Sequence, residues 1–174
     1  MPRLYHGEMS LSKDDRIADV ERALALMLKE LGPRAIDTMQ FNPSEAPLTE
    51  IQTTTWLELK RQCYVEREQY FGGVIYTLTG AGWLAAIEAT GELDDLKTKM
   101  APLVAEMKGR VKGRSEVAFD YLDGIASAAN VPIDFAYNVI ESDAVGNVYG
   151  RHGVRWEHRG KLIRIPENFG LEPL

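Results

Sequence analysis

The fold of this chain is decided by residues 122–165, which read LDGIASAANVPIDFAYNVIESDAVGNVYGRHGVRWEHRGKLIRI. The first half of this stretch predicts two short helices, because apolar residues recur at helical spacing on both sides of a turn at Asn130-Val131-Pro132. The second half predicts a β-hairpin with Arg159-Gly160 at its tip. This stretch therefore predicts two helices followed by a basic hairpin.

The boundaries of these elements follow from local signals. Ser115 is predicted to cap the first helix, whose inner face carries Ala118, Tyr121, Leu122, Ile125, Ala126 and Ala129. The second helix is predicted from Ile133 to about Ser142. Gly146 and Asn147 then open the hairpin, with arms at residues 149–156 and 161–166. Residues 168–174 are predicted to be a tail on the surface.

Composition favours an ordinary soluble protein. The 174 residues allow one domain or two small ones of about 80 residues each. Cys63 is the single cysteine and is expected in a buried strand, and the three histidines (His6, His152 and His158) are scattered, so we expect no disulfide and no metal site. No apolar run is long enough to span a bilayer, and the N-terminus lacks a secretory segment, so we expect a cytoplasmic protein without a membrane partner.

Charge is unevenly distributed. The formal net charge of −6 argues against a wholly basic nucleic-acid coat protein, but local binding depends on where the charges lie. Residues 146–165 contain one acid, Glu157, and five basic residues: Arg151, Arg155, Arg159, Lys161 and Arg164. A second basic cluster comprises Lys108, Arg110, Lys112 and Arg114.

The first half of the chain predicts a similar order of elements. Ser12 caps a helix that ends at Gly32-Pro33, and short helical segments are predicted at residues 34–40 and 49–62. Strands at residues 63–68 and 74–78 form a hairpin around Gly72-Gly73, and Thr79 caps a helix that reaches about Thr90. Helices followed by a hairpin thus occur twice, without matching residues between the halves.

A longer helical pattern joins the halves. Apolar residues recur from Leu93 to Val111, and we expect a kink or a break at Pro102. The apolar stripe is predicted either to pack between two modules or to form a homodimer interface.

Two stretches resemble winged-helix proteins. Residues 122–140 are similar to a helix–turn–helix, with small Ala126 between the helices and Val131 at the corner. Tyr76, Leu78, Thr79 and Gly82 match the Tyr-x-Leu-Thr-x-x-Gly sequence with which a winged-helix hairpin enters a helix. The resemblance implies a mainly α fold with small β-hairpins (α+β), built as two tandem winged-helix modules at residues 1–91 and 92–174 that a helix joins.

The resemblance implies contact with nucleic acid through hairpin and helix. The basic side chains of the second hairpin are suited to neutralising phosphates: Arg151, Arg155, Arg159 and Lys161. The candidates on the second helix for bases or phosphates are Tyr137, Asn138 and Ser142. The matching candidates in the first module are Lys60, Arg61 and Arg67. The second helix departs from a DNA-binding pattern, since it carries acids and no Lys or Arg.

These observations favour double-stranded DNA binding, as a transcriptional regulator or an accessory factor of DNA transactions. The alternative is an acidic protein-interaction or assembly module. A small enzyme or sensor has no supporting motif, so we expect a non-enzyme without cofactors. Gly80-x-Gly82-x-x-Ala85 imitates a dinucleotide-binding fingerprint, but the second parallel strand that such a site requires is not predicted.

Overall fold

The computed structural model describes residues 12–32, 34–114, 116–149 and 153–169. Its helices are α1 (Lys13–Leu31), α2 (Thr53–Arg61), α3 (Gly80–Ala89), α4 (Leu93–Val111), α5 (Leu122–Ala128), α6 (Ile133–Glu141) and α7 (Ala144–Tyr149). Its strands are β1 (Gln40–Phe41), β2 (Val65–Tyr70), β3 (Gly73–Leu78), β4 (Ala118–Tyr121), β5 (Arg155–His158) and β6 (Leu162–Ile165). The predicted mainly α, α+β fold is confirmed.

The two halves of the described chain share one topology. Each begins with a long helix and continues through a short strand and further helical segments to a β-hairpin. Each forms an antiparallel sheet in which the last strand lies in the middle, in the orders β1-β3-β2 and β4-β6-β5. The first half closes with α3, whereas the second half inserts α7 between α6 and its hairpin.

Helix α1 begins where the sequence predicts. Ser12 and Asp15 form a reciprocal capping box, in which the Ser12 hydroxyl accepts a hydrogen bond from the Asp15 backbone N–H at 3.1 Å. The stripe residues Val20, Leu24 and Met27 are buried against the core. The helix packs on α2 and α3, so it forms the base of the first half.

Two predicted helical segments of the first half are wrong in part. Residues 34–40 form a 3-10 turn, Ile36–Thr38, followed by β1, because Phe41 buries its ring while its backbone pairs with Tyr76. The segment predicted at residues 49–62 is a 3-10 turn, Leu48–Glu50, and then α2, separated by extended backbone at residues 51 and 52. The predicted inner residues Trp56 and Leu59 are buried.

Helix α4 continues through Pro102, so the break, one of the two predicted effects of this proline beside a kink, is wrong. Pro102 lies on the exposed side, while the stripe on both sides of it is buried: Leu96, Met100, Leu103, Val104, Met107 and Val111. This burial stabilises the helix despite the N–H that proline lacks. The stripe is core of this chain, so the predicted homodimer interface has no exposed apolar stripe to use.

Residues 118–121 are a strand and not part of the predicted helix. Their backbone pairs with β6, Ala118 opposite Ile165 and Tyr121 opposite Leu162, and the chain enters α5 directly afterwards. Long-range strand pairing overrides the local helical spacing here. The predicted cap, Ser115, lies outside the described residues.

The second hairpin is shorter than predicted. Ala144 and Val145 are buried, and this burial holds residues 144–149 as helix α7 where we predicted the start of the hairpin. The predicted tip is confirmed, since Gly160 adopts a φ of 77° in the turn between β5 and β6. The predicted surface tail is wrong at Phe169, which is 4% exposed.

The two halves share a continuous core. Their buried apolar side chains form one cluster. At the junction, α3 packs against α6, and a Cβ added to Gly80 would clash with the backbone carbonyl of Glu141. The predicted boundary near residue 91 therefore separates two topological units that pack on each other.

Candidate nucleic-acid interface

The hairpin of β5 and β6 presents the basic side chains. Arg155, Lys161 and Arg164 are exposed, and none of them forms an ion pair within the described part of the chain. Glu157 is the one acid between residues 155 and 165. Arg151 lies outside the described residues. This hairpin keeps a net positive charge in a protein whose formal charge is −6.

A hydrogen-bond network fixes the hairpin to α6. The Glu141 carboxylate accepts a hydrogen bond from Trp156 Nε1 at 2.7 Å and another from Arg159 Nη2 at 2.7 Å. The hydrogen bond that Arg159 donates to Glu141, together with the negative charge of that carboxylate, raises the pKa of Arg159. Arg159 is exposed, but part of its charge is neutralised by Glu141, so it contributes less to the free positive charge than Arg155 does.

The outer face of the second sheet combines arginine and aromatic side chains. Phe119 lies directly opposite Arg164, and Arg164 lies directly opposite Arg155, so these three side chains form one row on the same face. Tyr121, opposite Leu162, occupies the next row. The side chains of Phe119 and Tyr121 are 52% and 62% exposed, and the buried Ile163 and Ile165 mark the opposite face.

The three predicted contacts on the second helix are wrong. Tyr137, Asn138 and Ser142 are 6%, 4% and 6% exposed, so they cannot reach a ligand surface from α6 as it is packed. Tyr137 lies against Trp156 with ring centroids 5.2 Å apart, and burial raises the pKa of its hydroxyl. The Ser142 hydroxyl donates to the Asn138 carbonyl at 2.6 Å, within the helix.

Asn138 binds the first half of the chain. Its side-chain oxygen accepts a hydrogen bond from the Ile36 backbone N–H at 2.8 Å, and its amide nitrogen donates to the Arg34 carbonyl at 2.8 Å. The face of α6 that a recognition helix would present to a groove is therefore occupied by intramolecular packing. Insertion of this helix into a major groove is not compatible with the structure.

The three candidates of the first half are exposed, and two of them, Arg61 and Arg67, have acidic neighbours. Glu58 accepts hydrogen bonds from Arg61 Nε at 2.9 Å and from Gln62 Nε2 at 2.7 Å. The Arg61 hydrogen bond, with that from Gln62, lowers the pKa of Glu58 to about 2, so Glu58 stays ionised beside Arg61.

The charged side chains of the first hairpin do not favour the binding of a phosphate. Arg67 on β2 lies between Glu66 and Glu68 in the chain, and all three are exposed. Lys60 is exposed on α2. At the tip of this hairpin Phe71 is fully exposed and Tyr70 is 47% exposed. The first hairpin is therefore a weaker candidate for phosphate binding than the second.

Other sequence features have structural explanations. Gly82 of the fingerprint-like motif lets α3 approach the Tyr64 carbonyl, with which an added Cβ would clash. Cys63 is exposed at a φ of 59°, before β2 begins, so its predicted burial in a strand is wrong. His158 is exposed on β5, and His152 lies outside the described residues.

The described residues hold neither a metal-binding cluster nor a membrane-spanning helix. Within residues 12–32, 34–114, 116–149 and 153–169, no three His, Cys, Asp or Glu side chains form a cluster that could hold a metal ion. None of the helices described there has the length and apolarity that a bilayer span requires.

Sequence reasoning missed Phe119, Tyr121 and the row they share with the arginines. Arg164 was counted among the basic residues without a position on a sheet face. The available signal was the two-residue spacing of Phe119 and Tyr121 around the polar Asp120, which is typical of a strand with one exposed face. The helical spacing of neighbouring apolar residues concealed it.

Comparison with known proteins identified no relative of this chain. No protein-family model, no curated protein sequence and no solved structure matches the chain.

Proposed function

We propose that the chain binds nucleic acid through the hairpin of β5 and β6, and that its ligand is double-stranded DNA in a regulatory or accessory role in the cytoplasm. The carrying observation is that Arg155, Lys161 and Arg164 are exposed together on one hairpin that contains a single acid. Neutralising phosphates with such side chains releases counterions and gives affinity without base contacts.

The topology supports this proposal. The order of elements and the sheet orders β1-β3-β2 and β4-β6-β5 are compatible with the two winged-helix modules that the sequence resembles. Because α6 is buried against the first half, the proposed mode is backbone binding by the hairpin, without readout by this helix. We therefore expect weak sequence preference.

A salt series tests the proposal. Fluorescence anisotropy of a labelled random-sequence duplex measures the association constant. We expect the logarithm of this constant to fall linearly with the logarithm of the salt concentration, with a slope of about −2.7 if three phosphates are neutralised. The triple variant R155T/K161T/R164T should lose that slope. A matched control, K13S/K97S/K99S, also removes three positive charges, but from α1 and α4, and it should keep the slope. Absence of binding at low salt, or equal losses in both variants, would contradict the proposal.

A protein-interaction role is the second candidate, and the first hairpin favours it. Phe71 is fully exposed at the tip beside the half-exposed Tyr70, while Glu66 and Glu68 on the same hairpin disfavour phosphate. A photo-reactive phenylalanine analogue at position 71 should then cross-link to a specific protein in cells, whereas the same analogue at exposed position 116 should not. Cross-linking at neither position would leave this candidate without support.

A further inference from the structure

We infer that the outer face of the second sheet binds unpaired nucleotides of a single strand, with Phe119 and Tyr121 stacking on bases and Arg155 and Arg164 contacting phosphates. This inference rests on the proposed nucleic-acid binding and adds unpaired nucleotides as a second ligand of the same arginines, beside double-stranded DNA. It adds two aromatic residues to a site that was previously defined by charge alone.

The aromatic side chains have the placement that stacking requires. Phe119 and Tyr121 are two residues apart on β4, so both project from the same face, about 6.6 Å apart along the strand. About half or more of each side chain is exposed. Bases in a duplex are stacked on each other and offer only their edges, whereas an unpaired base offers a flat face to an aromatic ring.

The arginines supply charge complementarity on the same face. Arg155 and Arg164 are direct cross-strand neighbours, an arrangement in which two like charges repel each other. Neither forms an ion pair among the described residues, although Arg110, on α4, is paired with Glu106 and Asp120. An anionic ligand that contacts both guanidinium groups would relieve this repulsion, and a phosphate backbone beside the stacked bases has that charge.

The first hairpin offers a matched comparison within the molecule. Tyr70 and Phe71 are also an exposed aromatic pair, but the neighbouring side chains on β2 include Glu66 and Glu68, and the hairpin has no opposed arginines. If exposed aromatic area alone caused binding, both pairs would contribute. If the combination of aromatic and arginine rows is required, only Phe119 and Tyr121 will contribute.

The test uses fluorescence anisotropy to measure the affinity of three variants for two ligands. The ligands are a short labelled oligothymidine and a labelled duplex, and the variants are F119S/Y121S, Y70S/F71S and the conservative F119Y/Y121F. We expect F119S/Y121S to lose about 5-fold or more in affinity per aromatic for oligothymidine and to keep its affinity for the duplex. Y70S/F71S and F119Y/Y121F should bind oligothymidine as the unaltered protein does.

The outcomes separate this inference from the proposed function. If F119S/Y121S binds both ligands normally while R155T/K161T/R164T loses both, the stacking surface is refuted and the phosphate-binding hairpin stands. If the unaltered protein binds neither ligand at low salt, the proposed function fails and the inference fails with it. If sedimentation shows that F119S/Y121S changes the oligomeric state without changing oligothymidine affinity, the face is an interface between copies and the inference is overturned. Circular dichroism of each variant confirms folding before binding is compared.

Discussion

The side chain of Asn138 on α6 accepts a hydrogen bond from the backbone N–H of Ile36, and the two residues are 102 positions apart in the chain. The same side chain donates to the Arg34 carbonyl. One buried amide thus satisfies two backbone groups of the other half. This pair of hydrogen bonds links the two topological units.

Substitution N138A should destabilise the whole protein. Removing the amide leaves a buried N–H at Ile36 without its partner, which costs about 1–3 kcal/mol. Urea denaturation followed by circular dichroism measures the free energy of unfolding. The control N168A makes the same chemical change at an exposed position and should have little effect. Equal stabilities of N138A and the unaltered protein would show that the link is not energetically significant.

Two glycine substitutions should change the free energy of unfolding in opposite directions. G80A places a Cβ against the Glu141 carbonyl and should lower the free energy of unfolding, because backbone on both sides must shift. G109A lies near the end of α4 with no atom near the added Cβ, and it should raise the free energy of unfolding by about 0.5–1 kcal/mol through helix propensity. Thermal unfolding of both variants measures the difference. Stabilisation by G80A would contradict the close packing of α3 on α6.

Relief of the repulsion between Arg155 and Arg164 should stabilise the fold. We expect R155T to raise the free energy of unfolding by about 0.2–1 kcal/mol at low salt, since threonine also suits an exposed strand. The gain should shrink as salt screens the two charges. The control R67T makes the same change on β2, where Arg67 lies opposite Tyr76. A gain that is the same in both variants, or independent of salt, would contradict the repulsion.

Glu58 should titrate at unusually low pH. The hydrogen bond from Arg61 lowers its pKa from 4.5 to about 2. Because the folded-state pKa lies below the unfolded value, this interaction stabilises the protein above about pH 4.5 and is lost as the pH falls from 4.5 toward 2. An NMR titration of the Glu58 carboxyl should show the low midpoint, and R61M should move it back toward 4.5. The same midpoint in both proteins would show that Arg61 is not the cause.

The sequence predicted the elements whose signals are local. The helix cap at Ser12, Gly72 in the turn of the first hairpin and the turn at Asn130 each depend on neighbours within a few residues, and each lies where it was predicted. Strand β4 was missed because its partner, β6, is far along the chain, and because the helical spacing of neighbouring apolar residues outweighed the short alternation of Phe119, Asp120 and Tyr121.

The burial of the candidate site residues could not be predicted from the sequence either. Asn138 appeared to be an accessible polar residue of a recognition helix, but its partners lie in the other half of the chain. Conversely, long-range strand pairing places Phe119 on an exposed face beside Arg164. Both errors have one cause, which is that exposure depends on long-range packing. The basic composition of the second hairpin required no such information and could be read directly.

Glu141 has a consequence for the position of the second hairpin relative to the first half. Its backbone carbonyl lies against Gly80 of the first half, and its carboxylate holds Trp156 and Arg159 of the second hairpin. The last turn of α6 therefore connects the second hairpin to the first half of the chain. Substitution of Glu141 should change the position of that hairpin relative to the first half.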